Sequence, residues 1–164
     1  SHDAKLLILD EPTSGLDVLG RDELMDMLGE YIQDGRHSVL FSTHITQDLE
    51  RAADFITYIT HGRLYYAGPK DEFEDAFRIV KGGPEEFSAV SDSAVGVHRY
   101  ATGFDALVRT EQWRPLFERC ARLTVEPASI DDIIRLTNTD MSAATASDST
   151  TSMNTTALLN GRKR

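Results

Sequence analysis

The sequence predicts an α/β fold, in which a parallel sheet with helices is followed by a small α+β module. Two short apolar runs without alternation, Leu6–Leu9 and Ser38–Thr43, each end in polar residues, as buried strands of a parallel sheet do. Between them, apolar residues recur at helical spacing over residues 18–34. A strand, a helix and a second parallel strand form a crossover that places both strand ends at the same edge of the sheet.

The first run ends in two adjacent carboxylates, Asp10 and Glu11. Pro12 has no N–H group and cannot continue a central strand, so we expect the chain to turn there. Gly15 permits the tight backbone that follows, and Asp17 is a suitable N-cap for the next helix. Ligands of such sheets bind outside the carboxyl ends of the strands, which makes this turn a candidate site.

The stretch KLLILDEPTSGLD, which contains these residues, resembles the Walker B motif and D-loop of ATP-binding cassette (ABC) ATPases. The Ser14-Gly15 pair resembles the D-loop of the transporter members of that family. The resemblance implies a P-loop NTPase in which Asp10 holds Mg²⁺ and Glu11 polarises the water that attacks the γ-phosphate of ATP. It also implies that Ser14, Gly15 and Asp17 take part in the nucleotide site and in communication across a dimer.

The second run ends at His44, in the sequence FSTH. Because the crossover brings both strand ends to one edge, we expect His44 to lie near Glu11. A lone histidine at the end of a strand is more often structural than catalytic. The spacing, however, resembles the switch region (H-loop) of ABC ATPases, which implies that His44 hydrogen-bonds the γ-phosphate and helps to place the attacking water.

The next segment resembles the end of an ABC nucleotide-binding domain. Two β-rich runs, FITYIT and RLYYA, flank His61 and Gly62, which favours a hairpin turn. Gly68, Pro69 and an acidic helix follow. We therefore assign residues 1–76 to the C-terminal part of such a domain.

Residues 77–141 form the predicted α+β module, a small C-terminal extension. Their patterns follow the order β-α-β-β-α-β of a ferredoxin-like fold, and a capping box at Ser129 begins a closing helix. The string PASIDDII resembles the closing helix of ABC-2-type exporter ATPases. Residues 142–164 are rich in Ser and Thr and have one bulky apolar pair, Leu158-Leu159, so we predict a disordered tail.

Composition narrows the class of protein further. The formal net charge of −10 argues against nucleic acid as a partner. No apolar run approaches the length that spans a bilayer, and the single cysteine, Cys120, fits a reduced, cytoplasmic compartment. The 164 residues contain neither the P-loop sequence GxxxxGK(S/T) nor the LSGGQ signature. We therefore expect a C-terminal fragment of an ABC ATPase, from Walker B onward, that is inactive by itself.

The resemblance implies that the parent protein is the ATP-hydrolysing subunit of an ABC transporter. Two ATPase subunits, identical or different, would sandwich ATP and Mg²⁺ and drive a transmembrane permease at the inner face of the cell membrane. One alternative is a regulatory or interaction module with a catalytically inert ATPase remnant; the intact Glu11 and His44 argue against it. Another is a soluble ABC ATPase acting on nucleic acid, which the acidic composition and the Ser14-Gly15 pair disfavour.

Overall fold

The computed structural model describes residues 4–139 and 154–160, which fall into two compact units. Unit 1 contains the residues up to Asp71 together with Asn154–Asn160, and unit 2 begins at Glu72. In chain order the elements are β1 (Leu6–Asp10), α1 (Val18–Ile32), β2 (Ser38–Thr43), α2 (Thr46–Ala52), β3 (Phe55–Thr60), β4 (Arg63–Pro69), α3 (Lys70–Asp75), β5 (Phe77–Gly82), α4 (Phe87–Val90), β6 (Ala94–Tyr100), β7 (Gly103–Arg109), α5 (Trp113–Arg119), β8 (Thr124–Pro127), α6 (Ile130–Thr137) and β9 (Asn154–Asn160). The fold is α/β, and no helix in the described ranges is long and apolar enough to cross a membrane.

Unit 1 is built on a five-stranded sheet with the order β1-β2-β9-β3-β4. β1 pairs with β2 in parallel, in a register that runs from Leu6 opposite Ser38 to Asp10 opposite Ser42. β9 is antiparallel to both of its neighbours, so β1, β2 and β3 share one direction. The sheet is therefore mixed rather than parallel throughout. The carboxyl ends of β1 and β2 lie side by side, which positions the candidate site.

The first apolar run forms β1, whose two faces are covered unequally. β1 is an edge strand, and Leu6 and Ile8 are 49% and 68% exposed. Leu7 and Leu9 are half-buried, so only one face of the strand is covered within the described ranges. In β2, Val39 and Phe41 are fully buried. Leu7 and Leu9 are opposite Val39 and Phe41 in the register, so these four side chains share the covered face, whereas Leu6 and Ile8 lie on the other face.

The prediction of disorder is wrong for residues 154–160, which form strand β9 between β2 and β3. Ala157 and Leu159 of this strand are buried. Backbone pairing on both sides satisfies the peptide groups of β9 whatever its side chains are, and composition does not reveal such pairing. Residues 142–153 and 161–164 of the predicted tail lie outside the described ranges.

Turn and cap residues of unit 1 adopt the conformations and contacts that local chemistry predicts. Asp17 is the N-cap of α1, and its Oδ1 accepts a hydrogen bond from the Gly20 N–H at 2.8 Å. Gly35, after the C-terminus of the same helix, has a φ of +68°. His61 and Gly62 have φ of +49° and +68°, the left-handed pair that a two-residue hairpin turn requires.

Unit 2 is built on a four-stranded antiparallel sheet with the order β6-β7-β5-β8. Its core is apolar and contains Val80, Val90, Phe104, Ala106, Val108, Leu116 and Leu123. The closing helix α6 buries four side chains, those of Ile130, Ile133, Ile134 and Leu136. The predicted capping box is present, because Ser129 accepts from the Asp132 N–H and Asp132 accepts from the Ser129 N–H.

Candidate functional site

The candidate site lies where β1 and β2 end side by side. Asp10 is the last residue of β1 and is opposite Ser42 of β2, two residues before His44. Parallel pairing in this register brings the carboxylates after β1 and the imidazole after β2 to one edge of the sheet. The side chains of Asp10 and His44 are exposed, and that of Glu11 is partly exposed, so the group is open to a ligand from solvent.

Ser42 ties the two strand ends together. Its hydroxyl donates a hydrogen bond to Asp10 Oδ1. Its carbonyl oxygen accepts from the Glu11 N–H at 3.0 Å, and its Oγ lies 3.3 Å from the same nitrogen. Ser42 therefore orients the side chain of Asp10 and the backbone of Glu11 together. Sequence reasoning missed this residue, although the register of two parallel strands would have placed it opposite Asp10.

Glu11 and His44 are in direct contact, as the crossover predicts. His44 Nδ1 lies 2.7 Å from Glu11 Oε2. Glu11 has a φ of +45°, a left-handed conformation that is unusual for a residue with a side chain and is found at functional turns. Because an ionised carboxylate only accepts hydrogen bonds, Nδ1 carries the proton and Nε2 is the ring nitrogen left for a ligand.

The predicted D-loop residues form the turn that leads from Glu11 to α1. The Ser14 N–H donates to the Glu11 carbonyl oxygen at 3.1 Å, and Gly15 has a φ of +79°. Ser14, Gly15 and Asp17 are exposed. The carboxylate of Asp17 caps α1, so its contact in this structure is with the helix and not with the Glu11–His44 pair.

Mg²⁺ fits the donor type at this edge of the sheet. In the described part of the chain, no group of three or more His, Cys, Asp and Glu side chains could hold a metal ion. Mg²⁺ in phosphate-binding sites, however, uses one or two carboxylates and takes its other ligands from waters and substrate phosphates. Asp10 supplies one exposed carboxylate of this kind.

A buried carboxylate, that of Asp48, lies beneath the site. Asp48 is 1% exposed. Its Oδ2 accepts from the Thr13 hydroxyl at 2.5 Å and lies 3.5 Å from the Thr43 hydroxyl oxygen. Its Oδ1 lies 3.8 Å from Arg21 Nε. Although Arg21 belongs to the charged residues of α1, three quarters of its side chain is covered.

Sequence reasoning also missed Asp48 itself, although its spacing was informative. Ile45, Leu49 and Ala52 form the apolar stripe of α2, and Asp48 occupies the remaining position of that stripe. A carboxylate in such a position is a sign of a buried polar contact. Which partner it meets depends on elements distant in sequence.

No protein-family model matches the chain. The chain is 31% identical over 153 residues to the Nod factor export ATP-binding protein I of Neorhizobium galegae, in a match that covers 85% of this chain and 43% of that relative. It is 38% identical over 82 residues to the energy-coupling factor transporter ATP-binding protein EcfA2 of Lactobacillus delbrueckii subsp. bulgaricus (49% and 28% covered). It is 40% identical over 73 residues to the uncharacterized ABC transporter ATP-binding protein YxlF of Bacillus subtilis (44% and 24% covered).

The chain thus spans less than half of the length of each of these relatives. Their names agree on one class of protein, and the resemblance of the Walker B, D-loop and H-loop residues points to the same class. The chain belongs to the family of ABC transporter ATP-binding proteins.

Proposed function

We propose that the parent protein is the ATP-binding and ATP-hydrolysing subunit of an ABC transporter, and that this chain supplies its Walker B motif, D-loop and H-loop. The observation that carries the proposal is the contact between Glu11 and His44, with Nδ1 and Oε2 2.7 Å apart. This pair lies next to Asp10 at the ends of two parallel strands, where the site is open to solvent. A carboxylate, an imidazole and a metal-binding carboxylate at one edge suit phosphoryl transfer to water.

Each residue has a distinct role in this proposal. Asp10 would hold Mg²⁺, which when bound neutralises charge on the phosphate oxygens. Glu11 orients the attacking water and accepts a proton from it. His44 is held by Glu11 through Nδ1 and presents Nε2 to the γ-phosphate. Catalysis of this kind rests on positioning and on electrostatic stabilisation rather than on covalent chemistry.

The partners follow from the exposed turn and from the relatives. Ser14, Gly15 and Asp17 are exposed, which supports a contact with a second ATPase subunit. We propose that a homodimer or heterodimer of such subunits binds two ATP molecules and acts on a transmembrane permease from the cytoplasmic side. A match over 85% of this chain to a protein named for Nod factor export supports an exporter with a C-terminal extension.

We also propose a division of the chain into two domains. Residues 1–76 would belong to the nucleotide-binding domain, and residues 77–141 would form the extension. The antiparallel strand order β6-β7-β5-β8, with helices after the first and third strands in chain order, supports a ferredoxin-like module.

The test is the variant Glu11→Gln in the full-length subunit. It keeps the shape of the side chain and removes the proton acceptor, so ATP turnover should fall by roughly 10²–10⁴-fold, the usual contribution of a general base. ATP binding, measured by calorimetry, should persist. The matched control is Glu23→Gln, an exposed residue of α1 outside the site, which should keep normal turnover. Near-normal turnover in Glu11→Gln would remove Glu11 from this role.

A further inference from the structure

The buried polar side chains of the described ranges form a single cluster. Thr13, Thr43 and Asp48 are the polar or charged residues there that are buried, with exposures of 0%, 0% and 1%. All three meet at Asp48 Oδ2, which accepts from Thr13 at 2.5 Å and lies 3.5 Å from Thr43 Oγ1. A buried carboxylate is costly unless donors and positive charge surround it. The fold thus places its costliest buried group beneath the candidate site.

Asp48 joins the two backbone segments that carry the site. Thr13 lies two residues after Glu11, in the turn that begins at that residue. Thr43 immediately precedes His44, and its Oγ1 accepts from the Ile45 N–H at 3.0 Å, which fixes the backbone on the far side of His44. One carboxylate therefore holds both backbone segments from which Glu11 and His44 project.

Arg21 adds a third element, helix α1, whose N-terminus follows the D-loop turn. Its Nε is 3.8 Å from Asp48 Oδ1, and this buried atom has no hydrogen-bond partner among the residues that the structure describes. The contact is therefore electrostatic. It makes the start of α1 sensitive to the charge at position 48.

We propose that Asp48 is a positioning residue for ATP hydrolysis, which holds the Glu11 turn and the His44 segment at the separation that their contact requires. The inference rests on the proposed function of the site. Asp48 does not touch the reacting atoms. It acts through Thr13 on Glu11 and through Thr43 on His44, and misplacing groups in a site by about 1 Å costs on the order of 10²-fold in rate.

The first experiment measures kcat and KM for ATP in the full-length subunit. Asp48→Ala should lower kcat by about 10–100-fold and should change KM less, because it misplaces Glu11 and His44 for the chemical step. Asp48→Asn keeps an oxygen that accepts from Thr13 and should recover most of the loss. The control Asp71→Asn, an exposed carboxylate of α3, should leave both constants unchanged.

A second pair of variants remains informative if Asp48→Ala fails to fold. Thr13→Val removes the donor at nearly constant volume and should lower kcat, whereas Thr13→Ser keeps the hydroxyl and should restore it. Thr13→Val combined with Asp48→Asn should lower kcat about as much as Thr13→Val alone, because Asp48→Asn by itself keeps the contact that Thr13→Val removes.

A spectroscopic readout separates positioning from simple loss of stability. In this chain labelled with ¹⁵N-histidine, the Nδ1 and Nε2 shifts of His44, assigned through His44→Gln, report its contact with Glu11. They should move in Asp48→Ala and in Thr13→Val and stay in place in Asp71→Asn. A lower melting temperature with unchanged His44 shifts and unchanged kcat would overturn the proposal. If Glu11→Gln abolishes turnover while the Asp48 and Thr13 variants keep it, only the positioning role of Asp48 is refuted. If Glu11→Gln is active, the proposed function of the site is refuted.

Discussion

Replacing Gly96 by alanine should destabilise unit 2 strongly, because the added methyl group would clash with backbone. Gly96 lies in β6, where the register with β7 shifts, and it packs against the end of α6. A Cβ at this position would lie 1.9 Å from the carbonyl oxygen of Leu136 and 2.6 Å from its carbonyl carbon. Ordinary van der Waals contact begins at 3.4 Å, so backbone must move by more than 1 Å.

The free-energy cost of the substitution follows from the packing of α6 that this movement disturbs. α6 buries Ile130, Ile133, Ile134 and Leu136, and a shift of the helix displaces all four from the core of unit 2. Overpacking of this kind costs about 1–3 kcal/mol, and the value here should lie at the upper end because both clashing groups are backbone. For a domain of this size each kcal/mol lowers Tm by about 4–8 °C, so we expect a decrease of roughly 10–20 °C.

Thermal unfolding followed by tryptophan fluorescence measures this change, since the single tryptophan, Trp113, lies in unit 2. The matched control is Gly29→Ala in α1, where an added Cβ meets nothing within 4 Å. Alanine is favoured over glycine in a helix by about 0.8–1 kcal/mol, so the control should not destabilise unit 1, and the unfolding transition that Trp113 reports should stay unchanged. A Tm for Gly96→Ala within about 2 °C of the wild type would refute the argument, since that is well under 1 kcal/mol.

Two further predictions concern the acid limb of stability and self-association. Burial raises the pKa of Asp132, but hydrogen bonds from Ser129 and Arg135 outweigh it and lower the pKa overall. The stabilisation that ionised Asp132 contributes is therefore complete above the ordinary pKa of about 3.9 and is lost as the pH falls through the lowered pKa. In urea titrations at a series of acidic pH values, Asp132→Asn should reduce the loss of unfolding free energy as the pH falls. An unchanged loss would contradict this prediction. The exposed Ile8 on edge strand β1 should promote pairing of two chains, so Ile8→Lys should reduce dimers in sedimentation velocity, and equal dimer content contradicts this.

Several features were predictable from sequence because they depend on residues close together along the chain. The cap at Asp17, the hairpin at His61 and Gly62 and the capping box at Ser129 each follow from the chemistry of a few adjacent residues. The contact between Glu11 and His44 was also predictable. Although these residues are distant in sequence, a strand–helix–strand crossover places the ends of its two parallel strands at the same edge of the sheet.

Only the tertiary structure decided which of the remaining groups are covered. Asp48 is buried because Thr13, Thr43 and Arg21 converge on it from three elements, and no local pattern specifies that convergence. Ile8 is exposed because its face of β1 is largely uncovered in the described ranges, and the apolar run does not reveal which face is covered. Residues 154–160 form a strand because β2 and β3 offer unpaired backbone on both sides. Burial and backbone pairing depend on neighbours that fold in from elsewhere, so a sequence pattern can indicate a face or a turn but not what comes to lie against it.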